Sequence, residues 1–198
     1  MQDGLTTISP ECGGGLVLRE RGLLRRLIVE NLLLRSSHAG QLPPNISEVG
    51  IKGLPCQIFR SGRVQMEHIS GLQNLGVKRV VSFYKQENPA ADKLQKKLQS
   101  AGIESEIVFR PAELMDADLV RQIINTVLSD SRTKLINCHA GSNRTGIIIA
   151  AIRRIYGENY QQIFRDLWLH GHIPFPKFRH FYREILPQFG TQSSKIAG

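Results

Sequence analysis

Cysteine is scarce in this sequence, and the three cysteines, Cys12, Cys56 and Cys138, are widely spaced. Their number is odd, and they form neither a Cys-x2-Cys pair nor the Cys/His spacing of a zinc finger. The pattern therefore argues against a disulfide framework and against a structural zinc site. It favours a reducing compartment, where thiols stay free.

Long apolar segments are also missing. No run approaches the roughly 18 continuous apolar residues of a membrane-spanning helix, and the first residues lack the charged start and apolar core of a secretory signal. We therefore predict a cytoplasmic location. In residues 16–35, arginines alternate with leucines. This pattern is typical either of a basic amphipathic helix that contacts an anionic membrane or of an ordinary surface helix.

Acidic residues are outnumbered, with 17 Asp and Glu against 26 Lys and Arg and a net charge of +9. Such an excess attracts polyanions and phosphorylated partners over a long range. It also suits a basic surface that only keeps the protein in solution. Hydrophobic residues make up 41% of the chain and charged residues 22%, which is typical of a globular domain.

The chain changes character along its length. Residues 1–15 are rich in Gly, Ser and Thr and predict a flexible tail. Residues 16–53 are interpreted as a helical N-terminal extension and a connector, and residues 54–190 as one domain. In that domain short apolar segments alternate with helical periodicity. Strands are predicted at 56–60, 78–83, 104–109 and 133–137, and helices at 64–75, 90–100, 116–128, 144–156, 160–168 and 178–186.

This alternation predicts an α/β fold, a mainly parallel sheet flanked by helices on both faces. In such folds, ligands bind outside the carboxyl ends of the strands. The segment that follows the predicted strand 133–137 is therefore of particular interest. It reads Cys138-His139-Ala140-Gly141-Ser142-Asn143-Arg144-Thr145-Gly146 and leads into an apolar predicted helix.

This loop has the residues that a phosphate site needs. A tight loop that enters a helix N-terminus directs several amide hydrogens and the positive end of the helix dipole at one point. The same field favours the thiolate form of Cys138, and Gly141 permits the sharp turn. The planar guanidinium of Arg144 can bind two phosphate oxygens at once, while Thr145 can donate its hydroxyl toward the sulfur. We predict Cys138 as the nucleophile and a phosphate cradle of His139, Ala140, Gly141, Ser142, Asn143, Arg144 and Thr145.

These residues resemble the CxxGxxRTG signature of the protein tyrosine and dual-specificity phosphatase superfamily. Residues 58–62 and 75–83 resemble the opening strand and helix of small bacterial dual-specificity phosphatases of the TpbA type, so the resemblance covers about residues 55–170. It implies a dual-specificity phosphatase-like fold and hydrolysis of phosphomonoesters through a cysteinyl-phosphate intermediate. It also implies phosphorylated proteins as substrates, with neither a metal nor another cofactor.

The sequence departs from that family at two points. Asn137 stands where the family usually has histidine, and it can hydrogen-bond the loop but has no positive charge. The family's general acid is an aspartate on an upstream loop, whereas here residues 110–116 offer Glu113 and Asp116. Counting back from the following helix favours Glu113 as the acid and Asp116 as the helix cap. Asp116 or Asp118 as the acid, or no acid at all, stays open.

Three other functions stay open. Residues 141–146 also resemble the GxNRTG motif of RNA triphosphatases, so an RNA 5′ phosphate is a second candidate substrate, although nucleic acid is not the favoured partner. Inositol phosphates are a third candidate. A catalytically inactive phosphate-binding module is the last, and it has no need of the nucleophilic thiol of Cys138.

Overall fold

The computed structural model describes residues 42–172 and 178–190. The predicted tail 1–15, the arginine- and leucine-rich segment 16–35 and the first part of the predicted connector lie outside the described residues. Within them, the strands are β1 (Ser47–Glu48), β2 (Ile58–Ser61), β3 (Arg79–Tyr84), β4 (Glu104–Phe109) and β5 (Lys134–Asn137).

The five strands form one sheet in the order β1-β2-β5-β3-β4. Strands β2, β5, β3 and β4 are parallel, and only β1 runs antiparallel, beside β2. The predicted mainly parallel sheet is therefore confirmed. The register places Asn137 opposite Ser61 on one side and Ser82 on the other. The segments that follow β2, β5 and β3 thus emerge side by side at one edge.

Five α-helices accompany the sheet in the described ranges. They are α1 (Ile69–Asn74), α2 (Pro89–Ser100), α3 (Ala117–Leu128), α4 (Asn143–Ile155) and α5 (Tyr160–Leu169). Short 3-10 turns lie at Met66–His68 and Ala112–Leu114, and the last described segment is a π-helical turn, Phe181–Ile185, followed by a 3-10 turn, Leu186–Phe189. No helix in the described part of the chain is long and apolar enough to cross a membrane.

Each face of the sheet has its own apolar core, because successive side chains of a strand point to opposite faces. Val80 and Leu135 pack with residues of α1 and α2 on one face. Val81 and Ile136 pack with residues of α3, α4, α5 and the C-terminal turns on the other. Every residue of α4 from position 145 to 153 is buried. The helix that follows the cysteine loop is therefore firmly embedded.

Three elements differ from the sequence-based expectation. The predicted helix 64–75 becomes a helical element only at Met66, and it starts as a 3-10 turn. The predicted helix 178–186 is mainly the π-helical turn, and Pro187, which follows, has no amide hydrogen to continue an α-helix. The predicted connector contains β1, a strand too short to show an alternating pattern.

Candidate active site

The loop from Cys138 to Ser142 connects β5 to α4 at the carboxyl edge of the sheet. Cys138 follows the central strand directly and is 3% exposed. Helix α4 begins at Asn143, immediately after the loop. The first amide groups of a helix have no partner within it. The loop therefore directs both the thiol and free amide hydrogens toward the same edge of the sheet.

Gly141 lets the loop lie against the end of β2. Its backbone has a φ of +76°, a conformation that side chains other than glycine rarely adopt. A Cβ atom here would lie 2.6 Å from the carbonyl carbon of Ser61 and 2.7 Å from its oxygen. Both the turn and the close approach thus require glycine.

Three residues hold carbonyl groups of the loop, one from the segment before β1 and two from β2 and the residues that follow it. The Arg63 amide donates to the His139 oxygen at 3.2 Å, and the Asn45 side-chain amide donates to the Ala140 oxygen at 3.0 Å. The Arg60 guanidinium donates to the Gly141 oxygen at 2.9 Å. In contrast, no backbone amide of residues 139–145 donates to another described residue. These amides are available to an anion.

Near the loop, three buried side-chain atoms have no hydrogen-bond partner among the described residues: Nη1 of Arg144, Oγ1 of Thr145 and Nε of Arg60. The hydrogen bond that we predicted from Thr145 to the sulfur of Cys138 is therefore not formed in this structure. Burial lowers the pKa of Arg144, and the negative charge of Cys138 opposes that shift. Buried unpaired polar groups are uncommon in folded proteins and call for a physical reason.

A cavity of about 250 Å³ opens over the loop. Its lining joins the segments that follow β5, β3 and β4. The cavity residues are Lys85, Pro111, Ala112, Glu113, Cys138, His139, Ala140, Ser142, Asn143 and Arg144. Of the residues predicted from the sequence, Gly141 and Thr145 do not line this cavity.

The three candidate acids occupy different environments. Glu113 lies in the 3-10 turn Ala112–Leu114 and lines the cavity, where its negative charge acts on Arg144. Asp116 caps α3, since its Oδ1 accepts the Leu119 amide hydrogen at 2.8 Å. The Asp118 side chain is 95% exposed and pairs with Arg121. Only Glu113 of these carboxylates lines the same cavity as Cys138.

Asn137 lies below the loop and not in the cavity. It is 2% exposed, and its amide nitrogen donates to Oγ of Ser82 at 2.9 Å. The bond joins β5 to the neighbouring β3 at the level where the loop begins. This side-chain partner of Asn137 thus lies on the sheet and not on the loop.

A buried charged network beneath the loop was not anticipated from the sequence. Arg60 is 1% exposed and donates to Asp166 at 3.0 Å, and Asp166 also accepts from Arg153 at 2.8 Å. Burial lowers the pKa of Arg60, while the charge of Asp166 opposes the shift. An arginine in a strand whose four residues are all buried needs a carboxylate partner, but this burial is visible only in the structure.

A second unanticipated contact comes from the C-terminal part. Nδ1 of His172 lies 3.3 Å from the Ser142 oxygen, and the Tyr182 hydroxyl is hydrogen-bonded to Nε2 of the same ring. Burial lowers the pKa of His172 and raises the pKa of Tyr182. A neutral imidazole that donates from Nδ1 and accepts at Nε2 satisfies both contacts. No sequence pattern distinguished this pair.

No group of three His, Cys, Asp or Glu side chains suited to a metal ion occurs in residues 42–172 and 178–190. The chain matches a family model described as "Tyrosine phosphatase family" over residues 43–192. No curated protein matches the chain.

Solved structures of phosphatases resemble the chain in fold. TpbA from P. aeruginosa is 21% identical, with a TM-score of 0.56 over 73% of this chain and 84% of that one. A cysteine-to-serine variant of TpbA in complex with pTyr is 24% identical, with a TM-score of 0.51 over 60% of this chain and 72% of that one. The PP-IP phosphatase SIW14 from S. cerevisiae is 23% identical, with a TM-score of 0.58 over 77% and 90%. At these identities, the likeness establishes the fold.

Proposed function

The chain belongs to the tyrosine phosphatase family, whose members are cysteine-based phosphatases, and from this premise we propose that it hydrolyses phosphotyrosine in proteins through a cysteinyl-phosphate at Cys138. The observation that carries the proposal is the cavity over the loop. It combines a thiol, unpaired amide hydrogens, an arginine with a buried free nitrogen and one carboxylate. Each of these groups has a role in phosphoryl transfer from an ester to sulfur.

In the first step, the thiolate of Cys138 attacks phosphorus and forms the S–P bond while the bond to the ester oxygen breaks. The amides of the loop and the guanidinium of Arg144 stabilise the charge on the phosphoryl oxygens. Glu113 in its acid form donates a proton to the leaving oxygen. The products of this step are a neutral phenol and a phosphorylated cysteine.

In the second step, the Glu113 carboxylate takes a proton from a water molecule as that water attacks phosphorus. The S–P bond breaks, phosphate leaves, and Cys138 returns as a thiolate. The Thr145 hydroxyl has no partner in the described structure, so it is free to rotate toward the departing sulfur. Arg60, which donates to the Gly141 oxygen, holds the loop in position during both steps.

A phosphotyrosine side chain is our first substrate class. The related TpbA has been captured in complex with pTyr, and a tyrosyl phenoxide benefits from proton donation by an acid such as Glu113. Phosphoserine and phosphothreonine, which a dual-specificity enzyme also accepts, are included in the same proposal.

Inositol pyrophosphates are a second candidate class. Lys85 adds a further positive charge to the cavity wall, and such a site suits a substrate with several phosphates. The similar SIW14 is a PP-IP phosphatase. An RNA 5′ phosphate stays a further candidate.

We propose residues 54–190 as the phosphatase domain, residues 1–15 as a tail and residues 16–53 as an extension and connector. Asn45 and Pro44, from the end of that connector, contact the loop and Gly62 respectively. Anionic membrane contact through residues 16–35 and a cytoplasmic location are also proposed.

A substrate panel tests the function. Purified protein is given a phosphotyrosine peptide, a phosphoserine peptide, an inositol pyrophosphate and a 5′-triphosphate RNA, and released phosphate is measured with Cys138→Ser as the blank. We expect the highest kcat/KM on the phosphotyrosine peptide. A higher value on the inositol pyrophosphate or on the RNA would replace our first substrate class by that one. No release from any of them would contradict phosphatase activity.

A further inference from the structure

A second cavity, of about 390 Å³, lies beside the active site. Its lining includes Arg63, Gln65, Met66, Glu67 and Tyr84. Two links join it to the first cavity. Tyr84 directly precedes Lys85, which lines the first cavity, and the Arg63 amide donates to the carbonyl oxygen of His139, another residue of that lining.

Arg63 is the cation of this second cavity. Its guanidinium lies over the ring of Tyr84, 5.5 Å from the ring centroid. None of the ion pairs between described residues includes Arg63 or Lys85. The positive charge of Arg63 contributes to lowering the pKa of Arg144. The two cavities are adjacent, so Arg63 and Arg144 can act on different groups of one substrate.

The other residues of the cavity restrict what it accepts. Tyr84 and Met66 offer apolar surface, and Met66 is 47% exposed although it is a large apolar side chain. Glu67 lines the same cavity but makes no ion pair with Arg63 among the described residues. A ligand here meets one cation, one aromatic ring and a carboxylate. This environment suits a single anionic group on an apolar stem.

We propose that Arg63, assisted by Lys85, binds a second anionic group of the substrate while the scissile phosphate occupies the loop over Cys138. The inference rests on the proposed function, because it describes the same substrate. The anionic group is a carboxylate or a phosphate. In a phosphopeptide it is the acidic side chain next to phosphotyrosine, and in an inositol pyrophosphate it is a neighbouring phosphate.

The geometry explains why Arg63 selects and does not catalyse. Its backbone amide holds the loop, whereas its side chain turns to Tyr84 in the second cavity. A substitution of the side chain leaves the backbone hydrogen bond to His139 in place. Loss of the charge should then change the preference among substrates.

Two phosphotyrosine peptides that differ only in a glutamate or a glutamine next to phosphotyrosine test the proposal. For the wild-type protein we expect kcat/KM to be about tenfold higher for the glutamate peptide, in line with a charged hydrogen bond in a partly desolvated site. Arg63→Gln should bring the ratio close to one. Arg63→Lys should keep part of the preference, because the charge stays but the planar fork is lost.

Glu67→Gln is the matched control of opposite sign. It removes a negative charge from the same cavity and should raise the preference for the glutamate peptide. A second comparison of substrates, the second arm of the experiment, sets an inositol pyrophosphate against para-nitrophenyl phosphate, which has no second anion. A loss of preference in Arg63→Gln confined to this arm identifies the second anion as a phosphate.

Unchanged ratios in both arms for Arg63→Gln would overturn the proposal. If Arg63→Gln does not fold, as judged by its circular dichroism, Lys85→Gln takes its place, and unchanged ratios there have the same meaning. A wild-type protein that hydrolyses para-nitrophenyl phosphate but shows no preference for a second anion contradicts this inference alone. A wild-type protein that hydrolyses no phosphate ester contradicts the proposed function as well.

Discussion

The two ends of the parallel strands carry charged clusters of opposite character. At the amino ends, Arg79, Glu104 and Lys134 begin β3, β4 and β5, and their charges are matched by partners. At the carboxyl ends, the cations near Cys138 (Arg63, Lys85 and Arg144) take part in no ion pair with another described residue. The amides of the loop have no backbone acceptor there. Both clusters are built on the same sheet. The polar groups of the first cluster are satisfied within the fold, whereas those of the second are available to a ligand.

The amino-end cluster is closed. Glu104 accepts hydrogen bonds from Arg79 and Arg132, and Asp130 accepts from Arg132 and Lys134. Lys134 is 0% exposed, and it also donates to the carbonyl oxygens of Asp130 and Arg132 at 2.6 and 2.9 Å. A buried ammonium with three acceptors has all its hydrogens satisfied. Each charged side chain of this cluster thus has an ion-pair partner among the described residues.

In the carboxyl-end cluster, by contrast, several polar groups have no partner among the described residues. Arg144 and Thr145 each keep a buried polar atom without a partner among the described residues. Lys85 and Arg63 take part in no ion pair there. The buried atoms of Arg144 and Thr145 lose their hydration in the folded state, and a bound phosphate would replace it. This contrast is the physical basis for assigning the site, and the following experiments test it from the largest expected effect to the smallest.

Cys138→Ser should have the largest effect on turnover. We expect kcat to fall by at least about 10⁴-fold, because a serine hydroxyl at this position lacks the nucleophilicity of a thiolate. Binding of inorganic phosphate, measured by calorimetry, should persist because the amides and Arg144 are unchanged. Normal turnover in this variant would exclude the covalent mechanism.

Arg144→Lys and Arg132→Lys make the same exchange at the carboxyl and amino ends of the sheet, so the two variants compare these ends directly. For Arg144→Lys we expect a loss of about 10³-fold in kcat/KM, since an ammonium cannot bind two phosphoryl oxygens in the transition state as a guanidinium does. Arg132→Lys makes the same exchange in the closed cluster and should leave kcat/KM within about twofold. Equal losses in the two variants would mean that Arg144 only braces the fold.

Glu113→Gln should slow phosphotyrosine hydrolysis by about 10²-fold, the lower range for general acid catalysis. Para-nitrophenyl phosphate, whose leaving group needs little protonation, should be affected far less. Because the proton donor is lost, the fall in rate toward alkaline pH should also flatten.

Asp116→Ala is the matched control for Glu113. It removes the helix cap and should lower the free energy of unfolding by about 1 kcal/mol, with little change in the pH profile of the rate. If the selective loss occurs in Asp116 variants and not in Glu113→Gln, Asp116 is the acid. If neither variant shows it, the reaction proceeds without an acid from this loop.

Glu104→Gln should have the smallest effect, on stability and not on activity. Hydrogen bonds from Arg132 and Arg79 lower the pKa of Glu104 from 4.5 to about 2. Its carboxylate therefore stabilises the folded state above pH 4.5, and this contribution disappears as pH falls from 4.5 toward 2.

The melting temperature of the wild type should thus fall more steeply over that interval than that of Glu104→Gln. The melting temperatures should differ by only about 1–3 °C, because the ion pair of Glu104 with Arg132 is half-exposed and screened by salt. Parallel curves for the two proteins would show that the network adds nothing to stability.

The loop was predictable because its chemistry is local. Cys138, Gly141 and Arg144 lie within seven consecutive residues, and an apolar strand and an apolar helix flank them. The parallel sheet followed from the alternation of strands and helices. The preference for Glu113 over Asp116 rested on the spacing to α3, and the structure places Glu113 at the cavity and Asp116 at the helix cap.

The supports of the loop were not predictable, since they come from distant parts of the chain. Arg60 and Asp166 are 106 positions apart, and the pair of His172 with Ser142 spans 30. No local periodicity links such residues. Asn45 was hidden in a segment that lacked regular patterning, and its contact with Ala140 depends on how β1 places that segment.

The most direct test of the account is to trap the intermediate. Wild-type protein is mixed with a phosphotyrosine peptide, quenched in acid within a turnover and digested, and the peptide that contains Cys138 is analysed by mass spectrometry. We predict that this peptide gains the mass of one phosphoryl group and that the gain is absent in Cys138→Ser. Turnover without any phosphorylated Cys138, or with the phosphoryl group on another residue, would contradict the account.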